Sequence, residues 1–176
     1  MSLLSRLITT LRDRRGQSVV EISLMAPLLM VALYIPADFG VAFLVANMTA
    51  TAARDGARIG SEAGKSGGNA DNPNFSTADA AAVKDKVVPT MPARLTNRSV
   101  RVKFYEDTTA NCLETVEVTV SGDYNFFFYQ ILRLFGATVT NPRTISRTSQ
   151  MPYRNQPAIN QTRCTGTSVN QLYSNL

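Results

Sequence analysis

Apolar residues are concentrated in one block near the N-terminus. From Val19 to Val45 the chain is almost continuously apolar, and its two acidic residues, Glu21 and Asp38, are separated by 16 uncharged residues. About 20 apolar residues in a helix cross roughly 30 Å of hydrocarbon, so this block predicts one membrane-spanning helix. A cleavable secretory signal would have a shorter apolar core. A buried helix of a soluble protein would tolerate Pro27 and Pro36 less well than a membrane helix does.

A helical pattern continues past this block as far as Gly64. Small residues recur there every three or four positions, at Ala42, Ala46, Ala50, Ala53, Ala57, Gly60 and Gly64. Such a stripe allows helices to approach closely, although alanine and glycine are frequent enough in this stretch to produce one by chance. An unbroken helix over 17–64 would be about 72 Å long and would extend beyond the membrane.

The sequence after this helix predicts a small head that mixes helix and sheet. Ser76 followed by Asp79 is a capping-box pattern that opens a helix, and Pro89 and Pro92 end it. Two runs then alternate between apolar and polar residues, which is typical of half-buried strands. Their apolar positions are Val100, Val102 and Phe104 in the first run and Val116, Val118 and Val120 in the second.

An aromatic run and a third alternating run complete the head. Residues 124–136 could form a short surface-lying helix, and residues 137–149 a third strand in which Pro142 marks an edge or a bulge. The polar residues from Gln150 onward are expected to be irregular. The predicted fold class is α+β, with a long N-terminal transmembrane helix and a small head of one helix and an antiparallel sheet of about three strands. The corresponding segments are a leader at 1–16, the long helix at 17–64 and the head at 65–176.

Composition argues against catalysis. The 176 residues include no histidine, which excludes Ser-His-Asp and Cys-His catalytic arrangements and histidine-ligated zinc. Two cysteines are too few for an all-cysteine zinc site. Gly64-Lys65-Ser66 ends like a phosphate-binding loop, but Ile59 stands where that loop needs glycine. We therefore predict that the protein is not an enzyme and that it uses no cofactor, metal ion or small-molecule substrate.

The positive charge is concentrated before the apolar block. The net charge is +5, and residues 1–16 contribute +3 of it. Arg12, Arg14 and Arg15 immediately precede the block, and such a distribution places the N-terminus in the cytoplasm and the head on the opposite side of the membrane. With only +2 spread over the other 160 residues, no nucleic-acid partner is expected.

The junction between leader and apolar block contains a second signal. Gly16 ends the basic stretch, and Glu21 follows inside the apolar run, where an unpaired acid would be costly. A cut after Gly16 would give Gln17 a new α-ammonium, and the Glu21 carboxylate could pair with it on the same chain or on a neighbouring one. Without a cut, Glu21 would lie in the headgroup zone of an ordinary membrane anchor.

These residues resemble the TadE-like family of the tight-adherence (Flp-type) pilus system. The matching positions are Gly16, Glu21, Pro27, Asp38, Phe39 and Gly40, followed by the Ala-Ala-Arg-x-Gly-Ala-Arg pattern at 52–58. The resemblance implies a minor pilin or pseudopilin that a prepilin peptidase cuts after Gly16. Its implied partners are that peptidase, other pilin subunits and the pilus assembly platform.

The resemblance also implies a cellular location and whether the protein is a major or a minor subunit of the pilus. The protein would cross the bacterial inner membrane once, with its head in the periplasm, and would be extracellular in an assembled pilus. Major pilins of this system carry tyrosine after the glutamate, whereas Ile22 follows Glu21 here, so a minor subunit is favoured. The alternative is an uncleaved, membrane-anchored periplasmic adaptor of a secretion or pilus complex.

Two further predictions depend on this topology. Cys112 and Cys164 would lie in an oxidising compartment and are expected to form a disulfide, which would stabilise the head by roughly 4 kcal/mol. Two separate thiols or intermolecular bonds are the alternatives. Asp38 would mark the outer membrane interface, or it would contact Arg54 or Arg58 of another subunit.

Overall fold

The apolar block and the small-residue stripe form one continuous helix, α1 (Arg14–Glu62). The computed structural model describes residues 14–69, 72–107, 113–134, 136–154 and 168–176. Its contacts divide the chain into two units, one ending at Gly40 and the other running from Val41 to Leu176. The first unit contributes the N-terminal part of α1, and the second, which we call the head unit, contains the rest of α1 and every other element.

In its described residues, the head unit contains two further helices, a four-stranded sheet and a short hairpin. The hairpin strands are β1 (Gly67–Asn69) and β2 (Asn72–Asn74). The helices are α2 (Thr77–Val87), which continues into a 3-10 turn at Val88–Thr90, and α3 (Phe127–Leu134). The sheet strands are β3 (Thr96–Asp107), β4 (Leu113–Tyr124), β5 (Arg143–Pro152) and β6 (Val169–Tyr173).

The four-stranded sheet is antiparallel throughout, with the strand order β5-β4-β3-β6. The predicted alternation is confirmed in its two central strands. Their inward-facing residues pair as Val100 with Val120, Val102 with Val118 and Phe104 with Val116, and all six are fully buried. Together they form the sheet side of the hydrophobic core.

The predicted start of α2 is also confirmed. Ser76 is the N-cap, its hydroxyl accepts a hydrogen bond from the Asp79 N–H, and the Asp79 carboxylate accepts one from the Ser76 N–H. This reciprocal pair satisfies two backbone donors that a helix start otherwise leaves open. The helix ends just before Pro89, as expected.

The α+β class is confirmed, but the head is richer in structure than the sequence suggested. The tail, expected to be irregular, supplies β6, which pairs with β3 from Val100 opposite Tyr173 to Phe104 opposite Val169. The expected third strand, β5, begins only at Arg143, and the aromatic run does form a helix. Over the residues that the structure describes, the head has four sheet strands and two short helices, where about three strands and one helix were predicted.

The small-residue stripe packs against the chain's own head. Ala53 and Ala57 are fully buried in the core beside the α2 residues Val83 and Val87 and the sheet valines. At Gly56 an added Cβ would lie 2.6 Å from Val87 Cγ2 and 3.0 Å from Val118 Cγ1. The α1 backbone thus approaches α2 and β4 so closely that no side chain fits. The small residues therefore permit close packing against a helix, α2, and against the sheet of the same chain.

Gly56→Ala is expected to destabilise the head unit by about 1–2 kcal/mol, although alanine is the better helix former by about 1 kcal/mol. The physical reason is overpacking against Val87 and Val118. The measurement is thermal unfolding of the full chain in mild detergent, followed by the near-ultraviolet circular dichroism of its tyrosines. Gly40→Ala is the matched control, because a Cβ there has no neighbour within 4 Å. Equal thermal-unfolding midpoints for Gly56→Ala and Gly40→Ala would contradict the close approach of α1 to α2 and β4.

Candidate functional site

The segment of α1 from Ser18 to Gly40 presents an almost uninterrupted apolar surface. Its exposed large side chains surround the whole helix: Val19, Val20, Ile22, Leu24, Met25, Leu28, Leu29, Met30, Val31, Leu33, Tyr34 and Phe39. Among the described residues, one helix is long and apolar enough to cross a membrane by length and composition, and it is α1. A helix that is apolar all round needs an apolar surrounding, either lipid or other helices.

Polar groups in this segment are few. The Ser23 hydroxyl donates a 2.7 Å hydrogen bond to the Val19 carbonyl, which lowers the cost of placing it in hydrocarbon. Pro27 and Pro36 lie inside the helix and are exposed. Glu21 is exposed among apolar neighbours, and Asp38 is half-buried. The acid in the first turns of the segment is therefore the costliest group for a lipid surrounding.

The residues predicted for processing occupy the start of this helix. Arg14, Arg15, Gly16 and Gln17 are its first four residues. Gln17 and Glu21 are four positions apart in this helix, a separation of about one turn. Arg12 lies outside the described residues, as do both cysteines of the predicted disulfide, Cys112 and Cys164.

The other family-matching positions fall on both sides of the division between the units. Phe39 is half-exposed, and an added Cβ at Gly40 would meet open space. Of the 52–58 pattern, Ala52, Ala53 and Ala57 are buried in the head core, whereas Arg54 and Arg58 are exposed. The small residues of that pattern therefore attach α1 to the sheet, and its arginines remain at the surface.

A buried ion pair that the sequence analysis missed lies where α1 ends. Lys65 Nζ is 2.5 Å from Glu114 Oε1, and the two side chains are only 10% and 8% exposed. The same ammonium lies 5.1 Å from the centre of the Phe75 ring and 5.2 Å from that of Tyr153. Cation–π attraction adds to the ion pair in such a setting. Lys65 therefore joins the α1 terminus to β4 and to the end of β5.

Residues that follow β5 donate hydrogen bonds to carbonyls at the end of α1 and just after it. Tyr153 donates its hydroxyl hydrogen to the Ala63 carbonyl at 2.5 Å, and the Arg154 N–H donates to the Ser61 carbonyl at 2.9 Å. Burial, with the carboxylates of Glu114 and Asp79 nearby, raises the pKa of Tyr153. The hydroxyl therefore stays protonated and remains a hydrogen-bond donor at neutral pH.

Asp79 connects the start of α2 to the segment after α1. Its Oδ2 accepts hydrogen bonds from the Ser76 N–H at 2.7 Å and from the Ser66 N–H at 3.1 Å. Burial on its own would raise the pKa of Asp79, but the hydrogen bonds from Ser76 and Ser66 outweigh burial and lower it. The charged form is thus the one that stabilises the fold.

Asp79→Ala is expected to lower the free energy of unfolding by about 1–2 kcal/mol at pH 7, because the donors of Ser66 and Ser76 lose their acceptor. Since the folded pKa is lowered, this contribution is present above the unfolded pKa and is lost as the pH falls below about 4. The difference between wild type and variant should therefore shrink on acidification. Denaturant unfolding at pH 7 and pH 3 measures it. Asp85→Ala is the control, because this exposed residue of the same helix makes only a surface ion pair and should cost less than about 1 kcal/mol at pH 7.

Comparison with known proteins agrees with the N-terminal pattern. The family model described as "TadE-like protein" matches residues 16–58. The resemblance inferred from Gly16, Glu21, Pro27, the Asp38-Phe39-Gly40 triplet and the 52–58 pattern is thereby confirmed for this segment. A search of curated proteins and a search of solved structures found no match.

Proposed function

We propose that this protein is a minor pilin or pseudopilin of a tight-adherence pilus, cut by a prepilin peptidase after Gly16. The observation that carries the proposal is the TadE-like match over 16–58, which begins at that glycine and includes the exposed apolar segment. Its role is assembly: it joins the tip of a filament or the complex that starts one. The other pilin subunits and the assembly platform are its partners.

The division of α1 between the two units supports this role. From Val41 onward α1 has buried positions in the head, such as Val45 and Ala53, whereas the segment before Gly40 exposes apolar side chains on all faces. The head can therefore keep its own core while the free segment exchanges lipid for neighbouring helices. With arginines before the segment, the N-terminus faces the cytoplasm and the head faces the periplasm of the inner membrane.

A charge pair explains how the segment could leave the bilayer. After the cut, the Gln17 α-ammonium and the Glu21 carboxylate are one helical turn apart, close enough to neutralise each other within a chain or between adjacent chains. A neutralised pair lowers the cost of burial in an apolar bundle.

The proposed role is structural. The six residues that match the family (Gly16, Glu21, Pro27, Asp38, Phe39 and Gly40) therefore have no catalytic role in it.

An uncleaved, membrane-anchored periplasmic adaptor would use the same span and the same head. The intact mass of the protein from its native membranes separates the two functions. A mass that begins at Gln17 supports the pilin function, and a mass that retains residues 1–16 contradicts it and favours the adaptor. Comparing the masses with and without reduction also tests the Cys112–Cys164 disulfide, because reduction adds two hydrogens.

A further inference from the structure

Helix α3 has an apolar face that the head covers only in part. Phe127, Phe128, Ile131 and Leu132 lie on one side, and Gln130 and Arg133 on the other. Phe127 is 53% exposed, and none of the α3 side chains that the structure describes is fully buried. An amphipathic helix with a partly exposed apolar face is typical of a segment that lies on an apolar surface.

The position of α3 in the fold is well defined. The Asn141 amide accepts from the Phe126 N–H and donates to the Phe126 carbonyl, both at 3.1 Å. At the other end, the Gly136 N–H bonds to the Arg133 carbonyl and the Ala137 N–H to the Leu132 carbonyl, both at 3.0 Å, with Gly136 at φ +84°. This is a Schellman-type C-cap. The helix is therefore held at both ends as part of the head.

Next to α3, the head unit contains the first turn of its own part of α1. Phe126 and Tyr124 form a small apolar cluster with Ala42 and Val45 of α1, and Tyr129 of α3 packs against it. Ala42 is the second residue of the head unit. The same turn of α1 exposes Phe43 and Leu44. Within the head unit, apolar surface thus extends from residues 42–45 of α1 to the vicinity of α3.

At and after α3 the chain is basic, because residues 125–147 contain Arg133, Arg143 and Arg147 and no acidic residue. The acidic residue just before this stretch, Asp123, accepts hydrogen bonds from Asn97 and Thr144. All three arginines are exposed. Basic side chains beside an exposed apolar helix face complement an anionic phospholipid surface, which attracts each nearby arginine by about 1 kcal/mol.

We propose that α3, which lies near residues 42–45 of α1, sits in the headgroup region of the bilayer, with Phe127 in the outer acyl region and Arg133 among anionic phosphates. The proposal rests on the proposed function, since it requires the segment before Val45 to span the membrane. Before assembly, α3 would hold the head against the bilayer surface. Entry into a filament would then have to remove this helix from the lipid.

The test uses the absence of native tryptophan. Full-length Phe127→Trp, Leu172→Trp and Leu33→Trp are each reconstituted at low protein density in vesicles of phosphatidylethanolamine and phosphatidylglycerol. The acyl chains of these phospholipids carry bromine either near the headgroup or near the bilayer centre. Leu172 is the matched head control, because it is 56% exposed and lies on the edge strand β6. Leu33, in the middle of the apolar block, reports the span.

Bromine near the headgroup (shallow) is expected to quench the tryptophan fluorescence of Phe127→Trp at least twofold, and more strongly than bromine near the bilayer centre (deep) does. Deep bromine should quench Leu33→Trp more strongly, and neither should affect Leu172→Trp. If the fluorescence of Leu33→Trp is quenched but that of Phe127→Trp is quenched no more than that of Leu172→Trp, the contact between α3 and lipid is wrong, whereas the span stands. Protection of Phe127→Trp from aqueous acrylamide without quenching by bromine would mean a protein contact and also overturns it. If Leu33→Trp is not quenched, the span fails, and both proposals fail with it.

Discussion

A Gly16→Phe variant is expected to accumulate entirely as the uncut, membrane-retained form, with residues 1–16 still attached. The peptidase of the proposed pathway must accept the residue before the scissile bond in a site fitted to glycine, and a benzyl side chain there would clash with it. Alanine is the weaker test, because it adds a single carbon. The measurement is the intact mass of the variant from native membranes, together with its amount in sheared filaments.

Ser5→Phe is the matched control for that variant. It places the same benzyl side chain in the same leader, 11 residues before Gly16, so its product should begin at Gln17 as in the wild type. If Gly16→Phe is cut normally, the proposed processing site is wrong. If it remains uncut but still enters filaments, cleavage is not the step that releases the helix from the membrane.

Lys65→Met is expected to destabilise the head unit by roughly 3–5 kcal/mol, because it leaves the buried Glu114 carboxylate without its cation. Methionine keeps most of the apolar stem, so the loss reports the charge and not a cavity. A change of this size should lower the unfolding midpoint by roughly 10–20 °C. Thermal unfolding in mild detergent at pH 7, followed by tyrosine circular dichroism, measures it.

Lys84→Met provides the control for Lys65→Met. Lys84 also makes an ion pair, 2.6 Å from Asp85, and lies over an aromatic ring, 5.3 Å from the centre of Tyr173. Asp85 is 67% exposed, and a pair of this kind contributes less than about 1 kcal/mol. Adding Glu114→Gln to Lys65→Met should restore part of the loss, since it removes the unpaired charge. Equal losses for the two lysine variants would show that burial does not set the strength of the Lys65 pair.

Local patterns in the sequence were sufficient to predict the elements that depend on residues close together in the chain. The membrane-like segment could be identified because contact with lipid demands apolar residues at every position of the span. The capping box of Ser76 and Asp79 could be identified because both partners lie within one helical turn. The central strands could be identified because each strand buries alternate side chains, and a period of two is visible in a single chain.

Other features depended on residues far apart in the chain. Lys65 and Glu114 are separated by 49 positions, and in the sequence Lys65 was notable only as part of an incomplete phosphate-loop pattern. Strand β6 was missed because an edge strand is held mainly by backbone hydrogen bonds and buries few side chains. Tyr153 was missed for a related reason, since its hydroxyl binds a carbonyl of a distant helix end.

The small-residue stripe shows what the sequence determines and what only the tertiary structure determines. By itself the sequence determined that the chain is apolar from Val19 to Val45 and that small residues recur from Ala42 to Gly64, because hydropathy and side-chain size are properties of each residue. Only the tertiary structure decided that Gly56, Ala53 and Ala57 face α2 and the sheet of the same chain. A small residue permits close approach without specifying the partner, and the partner is chosen by the complementary surface that the rest of the fold brings to it.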